Sequence, residues 1–176
     1  MVDAFSEYAR TPPLEITSLD LNALVHEVAE LYPAREIGMR IRLKLDGGLP
    51  PVQADSGRVR QMLHNLLRNA QEALDGRADG QVQITTHYYR RGKEELAEIV
   101  VEDNGPGFNT EILGKAFEPY VTSKPKGTGL GLAIVKKLAE EHGGSIRAQN
   151  SPEGGAQLII RLPVTEIGRA SCRERV

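Results

Sequence analysis

Three stretches of this chain repeat apolar residues every three to four positions and five repeat them every second position, and their order leaves one class of fold. The spacing predicts a helix over Leu19–Tyr32, capped by Ser18, with Leu21, Leu24, Val25, Val28 and Leu31–Tyr32 on one face and Pro33 ending it. A longer helix is expected from a cap at Asp55 or Ser56 through Leu74, its stripe being Val59, Met62, Leu63, Leu66, Leu67, Ala70 and Ala73–Leu74. A third runs from Leu130 to His142 and stops at Gly143–Gly144. The alternating stretches are Met39–Asp46, Val82–Tyr89, Leu96–Glu102, Ser145–Gln149 and Ala156–Leu162, with Val52–Ala54 a short edge piece and Arg90–Glu95 a charged turn. Asp103–Lys126 reads as irregular, rich in Gly and Pro, with one helical stretch about Glu111–Ala116. Helices and strands interleaved in this order predict an α/β, two-layer sandwich: a mixed sheet of about five strands with three helices on one face.

Composition sets the outer limits. With 176 residues and 40% apolar content the chain is expected to form one folded unit that buries its own core. No run approaches the ~20 apolar residues of a bilayer span, and Asp3 and Glu7 are wrong for a signal peptide. A formal charge of −2 argues against nucleic-acid binding through bulk electrostatics. The one cysteine, Cys172, forms neither an internal disulfide nor a metal cluster. It lies in the stretch Ile167–Val176, which has neither periodicity and is expected to be an expression or cloning remnant, with a genuine basic tail as the alternative. Val2–Arg10 has helical spacing but less than three turns, too short to be stable alone, and reads as the end of a longer helix. The expected division is therefore 1–17, end of a helix and linker; 18–165, the folded domain; and 166–176, the tail.

Three constellations carry the chemistry. Asn65 and Asn69 are four residues apart on the long helix, so both amides project from one face; neutral oxygens of this kind suit Mg²⁺, and a solvated helix face would show the same pair. Val100–Val101–Glu102–Asp103–Asn104–Gly105–Pro106–Gly107–Phe108 is a strand that ends in a carboxylate and two spaced glycines. The glycines permit a close backbone approach, and the aspartate can accept from an exocyclic amine; an ordinary Asp-Asn-Gly turn is the plainer reading. Lys124–Pro125–Lys126–Gly127–Thr128–Gly129–Leu130–Gly131–Leu132 opens the third helix, where freed N–H groups and the helix dipole favour an anion. Its spacing is not that of a P-loop, and it follows a loop rather than the strand that a dinucleotide fingerprint needs.

Taken in order, these motifs resemble the ATP-binding domain shared by sensor histidine kinases, gyrase, a class of heat-shock chaperones and MutL. Asn65–Asn69 stands where that family has its N box, and Asp103–Gly107 and Gly127–Gly131 where it has two glycine boxes. Phe117–Glu118–Pro119–Tyr120 lies between them like a phenylalanine box, and Gly154–Gly155–Ala156 resembles a further glycine element. The resemblance spans about Leu19–Pro163. Phe5–Arg10 and Phe117–Lys124 read like sensor kinases of the nitrogen-regulation type.

The resemblance implies a Bergerat-type sandwich with a flexible ATP lid over Phe108–Lys126. It implies an adenine-binding role for Asp103 and Mg²⁺ coordination by Asn69. Nucleotide contacts would come from Asn65, Gly105, Gly107, Phe108, Tyr120, Lys124, Gly127, Gly129, Leu130, Gly131 and Leu132, with Lys126 as a further phosphate contact and Phe117 and Tyr120 as apolar latches. Asn65 occupies the catalytic position where hydrolysing relatives place a glutamate. An amide cannot act as a base, so water is poorly activated and the γ-phosphoryl group waits for a histidine. Ala156 lacks the hydroxyl that relatives often carry there for adenine. None of His26, His64, His87 and His142 has the context of a phosphoacceptor; His64 is expected to pack or to support the nucleotide helix, and His142 lies at a helix end, where a cation suits the dipole.

The expected activity is that of a histidine kinase catalytic domain, using ATP and Mg²⁺, inactive or poorly active alone. Its expected partners are its own dimerisation and phosphoacceptor domain and a response-regulator receiver. The parent is expected to be a cytoplasmic homodimer, with an inner-membrane anchor as an open alternative. Two rival readings stand beside it: an ATPase clamp of the gyrase or chaperone kind, and a docking module that binds nucleotide without transfer.

Overall fold

The structure, a computed structural model, describes residues 12–121 and 131–164. Val2–Arg10 and Ile167–Val176, with Cys172, lie outside these residues.

Strand β1 (Thr17–Leu19) pairs antiparallel with β3 (Val52–Ala54) as a separate two-stranded sheet. This corrects the expectation that Ser18 caps a helix beginning at Leu19. The backbone of Thr17–Leu19 is taken up by the edge strand, and Asp20 caps instead, its carboxylate accepting from Ala23 N at 3.0 Å. Helix α1 thus runs Leu21–Glu30 and buries Leu21, Leu24, Val25 and Val28; Leu31, assigned to the same face, is 61% exposed past its end. A short helix that periodicity did not predict, α2 (Ala34–Ile37), leads into β2 (Arg40–Lys44).

Helix α3 (Ser56–Ala73) forms the centre of the helical layer. Asp55 caps it, one oxygen taking Arg58 N at 3.1 Å and the other Glu15 N at 2.9 Å. Burial works to raise the Asp55 carboxyl, but these two N–H groups and the Arg58 guanidinium outweigh it and leave it below its ordinary value. The predicted stripe is the buried one: Val59, Met62, Leu63, Leu66, Leu67 and Ala70.

The main sheet also contains β4 (Gln81–Arg91), β5 (Glu94–Asp103), β6 (Ser145–Asn150) and β7 (Ala156–Pro163), in the order β2-β4-β5-β7-β6. Only β2–β4 is parallel, because α3 supplies the crossover; the other pairs are antiparallel. The expected turn Arg90–Glu95 shrinks to Gly92–Lys93, since Arg91 still pairs with Glu94 and Gly92 supplies the left-handed residue at φ +62°. Register places Val82, Ile84 and Thr86 beside Ala97, Ile99, Val101 and Asp103, then Leu158, Ile160 and Leu162, all on the buried face. The opposite face carries Arg42, Lys44, Gln83, His87, Glu102, Arg161 and Arg147. Buried Glu98 on that face is paired with Arg161 Nε at 2.8 Å. With α1, α3 and α5 (Gly131–Glu141) layered on one side, this is the two-layer mixed sandwich that the sequence implied.

Among the described residues, no helix is long and apolar enough to cross a membrane.

Candidate functional site

Asn65, Asn69 and Ala73 follow one another at four-residue intervals along α3, so they lie on one line beside the buried stripe, about 12 Å from end to end. Both asparagines are half-buried. At one end of the line Asn65 Nδ2 lies 3.5 Å from Gly131 O, where α5 begins. At the other end the turn after β5 closes on the helix: a Cβ on Gly105 would sit 3.3 Å from Ala73 O and 3.5 Å from Leu74 Cδ2. The glycine turn after Asp103, Gly131 at the start of α5 and the asparagine pair, far apart in sequence, therefore border one surface.

Asp103 is the last residue of β5 and is 7% exposed. Its Oδ1 accepts Gly105 N at 2.8 Å and Ala156 N at 3.3 Å. Among the described residues its Oδ2 takes no hydrogen bond. A buried carboxylate oxygen without a donor is costly, and an exocyclic amine is one group that could supply the donor. Ala156 thus contributes a backbone N–H to the carboxylate although its side chain has no hydroxyl. The carboxylate also holds the glycine turn together, which the sequence reading did not foresee.

Two further turns are packed against it. A Cβ on Gly155 would lie 1.7 Å from Asp103 O, and one on Gly107, where φ is +80°, 2.6 Å from Gly154 O. Asn104 accepts from Gln81 N and donates to Asp79 O, both at 2.8 Å, while Arg77 donates to its carbonyl. Asn104, Arg77 and Asn150, which pairs with the backbone of Phe108, are the residues that motif reading missed. Asn104 lay within a motif but counted only as part of a turn.

Of the other residues singled out, Leu132 and Phe117 pack partly buried against the core, and Gly131 opens α5 with free space where a Cβ would be. Phe108 is also partly buried there. Tyr120 is 62% exposed with φ +67°. The short helix α4 covers Thr110–Leu113, earlier and shorter than expected. Lys124, Lys126, Gly127, Gly129 and Leu130 lie outside the described residues.

The histidines separate by environment. His26 and His87 are exposed. His64 Nδ1 lies 2.8 Å from Tyr32 Oη, and burial, with Arg60 and Arg68 nearby, holds it below the ordinary imidazole value. His142 is buried; its Nδ1 donates to Leu138 O at 2.7 Å and its Nε2 accepts Asp55 N at 3.1 Å. These two bonds tie α5 to the cap of α3.

Known proteins share this fold. The chain is 38% identical over 174 residues to the nitrogen regulation protein NtrY of Azorhizobium caulinodans, covering 92% of this chain and 21% of that protein. It spans about a quarter of the length of the curated relatives it matches first. The nucleotide-free catalytic domain of histidine kinase ThkA superposes with a TM-score of 0.76 at 33% identity, over 87% of this chain and 98% of that one. Full-length ShkA in complex with AMPPNP gives 0.77 at 30% identity, over 92% and 34%. The model of the histidine kinase-, DNA gyrase B- and HSP90-like ATPases matches residues 54–166, from the strand before the asparagine helix to just past the last strand. By that match, over more than half its length, the chain belongs to the histidine kinase-, DNA gyrase B- and HSP90-like ATPase family.

Proposed function

We propose that this chain is the ATP-binding catalytic domain of a two-component sensor histidine kinase of the nitrogen-regulation type, and that it directs the γ-phosphoryl group of ATP to a histidine on a separate domain. The observation that carries the reading is the line Asn65–Asn69–Ala73, which joins the start of α5 to the turn below Asp103. Asp103 Oδ2 accepts from the exocyclic amine of adenine. Asn69 offers a neutral oxygen to Mg²⁺, which would take its other ligands from phosphate and water; when bound, the ion neutralises phosphate charge. Asn65 cannot take a proton from water, so hydrolysis by the domain alone stays slow. The similarity to NtrY and to ThkA supports a kinase over a clamp-type ATPase. The receiver domain is inferred as the onward partner from the likeness to ThkA, of which one structure is a complex with the response regulator protein TrrA.

Mixing the chain with a phosphoacceptor domain of an NtrY-type kinase and γ-labelled ATP tests this. Label is expected on the acceptor histidine, with little free phosphate. Steady hydrolysis without transfer favours the clamp reading, and tight binding with neither favours a docking module. A narrower prediction concerns the metal: Asn69→Ala lowers ATP affinity more with Mg²⁺ than with EDTA, by about ten-fold if one metal contact is lost. Equal losses in the two conditions, read by calorimetry, contradict the ligand role.

A further inference from the structure

The turn that follows Asp103 is held in place by a side chain that neither the adenine nor the phosphate reading uses. Asn150, the last residue of β6, accepts Phe108 N–H on Oδ1 at 2.6 Å and donates from Nδ2 to Phe108 O at 3.0 Å. One carboxamide thus supplies both halves of a strand-like pairing to a residue 42 positions away that lies in no strand. Gly107, just before, fits beneath the β6–β7 turn so closely that a Cβ would also lie 2.8 Å from Asn150 Oδ1. That turn is itself closed by Ser151 N to Gly155 O at 2.6 Å and Gly154 N to Ser151 O at 2.9 Å. Asp103 is fixed at one end of the glycine turn by its own strand; Asn150 fixes the other end.

We propose that Asn150 is a positioning residue for the nucleotide: its amide pins Phe108 to the β6–β7 turn and so orders the glycine turn beside Asp103 before ligand arrives. The proposal rests on the ATP-binding reading above. A turn with two glycines and no clamp samples many backbone conformations, and binding would have to remove that freedom. With the clamp, the freedom is already removed in the unliganded protein. Asn150 pairs with Ala156 through its backbone at the turn end of the β6–β7 ladder, while both bonds of its side chain go to Phe108 rather than to the hairpin.

The test is calorimetric titration with Mg²⁺ and AMPPNP, beside thermal melting of the unliganded protein, for the wild type and three variants. Asn150→Ala is expected to weaken binding about ten-fold with the melting temperature unchanged. Asn150→Ser, which can make one of the two bonds, is expected to recover part of the loss. Asn150→Asp keeps the acceptor but sets a carboxylate against the Phe108 carbonyl oxygen, and is expected to remain as weak as Asn150→Ala. Wild-type affinity in Asn150→Ala overturns the proposal while leaving the ATP reading intact. Affinity that falls only in step with melting temperature assigns Asn150 a purely structural role and also overturns it. Absence of binding by the folded wild type overturns the ATP reading and this proposal together.

Discussion

Asp103→Asn lowers the affinity for ATP by about ten- to a hundred-fold while leaving the unliganded protein folded. The magnitude follows from the worth of a hydrogen bond to a charged group, about 1.5–3 kcal/mol, at roughly 1.4 kcal/mol per ten-fold. Asparagine is the informative replacement because the two carboxylate oxygens have different tasks. Oδ1 receives Gly105 N and Ala156 N, and an amide oxygen can still do so. That orientation turns the NH₂ group to where Oδ2 was, and it meets the adenine amine donor to donor. Asp103→Ala is harsher: it strips both backbone donors of their acceptor at a position 7% exposed, at about 1–3 kcal/mol for each group left unsatisfied. Melting curves should therefore separate the two variants, Ala losing stability and affinity, Asn affinity alone. Equal ATP affinity in wild type and Asp103→Asn, measured by calorimetry, contradicts the adenine role.

Gly155→Ala is expected to be the most disruptive single-methyl change in the site. Its Cβ would stand 1.7 Å from Asp103 O, 2.8 Å from Asp103 C and 3.2 Å from Asn104 Cα. All three neighbours are backbone, so no rotamer change relieves the clash, and the hairpin turn must withdraw from the end of β5. Overpacking of well-packed sites costs about 1–3 kcal/mol and occasionally more. With rigid partners the upper end is expected, about 3 kcal/mol, a fall in melting temperature of roughly 6–12 °C for a domain of this size. ATP affinity should fall as well, because the withdrawn turn carries Ala156 N away from Asp103. Gly114→Ala is the control, since its Cβ would meet nothing within 4 Å and its φ is −69°. Similar melting temperatures for the two variants would show that the hairpin turn yields freely.

The parts of the fold that were legible in the sequence are those written in one element at a time. The stripe Val59–Met62–Leu63–Leu66–Leu67–Ala70 and the alternation Ala97–Ile99–Val101 are local records of which side is buried, and each is buried in the structure. β1 left no such record. Three residues with the pattern of a helix start become a strand because Val52–Ala54 needs a partner, and only then does Asp20 rather than Ser18 become the cap.

The site divides in the same way. The spacing of Asn65 and Asn69 and the paired glycines could be read directly, because helix period and turn chemistry are local. What the glycines are for could not. Gly105 is needed where the turn passes Ala73 O, and Gly155 where the hairpin meets Asp103, and both approaches are set by the assembled sheet. Asn150 and Asn104 were passed over for the same reason, since a carboxamide bonding a backbone from another strand leaves no periodic trace. His142 could be read only as a helix-end residue, and its bond to the cap of α3 is likewise set by the assembled fold.

The most direct test is a map of backbone amide shifts on titration with Mg²⁺ and AMPPNP. The largest saturable changes are predicted along Asn65–Ala73, through Asp103–Phe108 and at Ala156, with the outer sheet face around His87, Glu98 and Arg147 unmoved. Changes confined to that outer face, or none at any nucleotide concentration in a folded sample, would contradict the account.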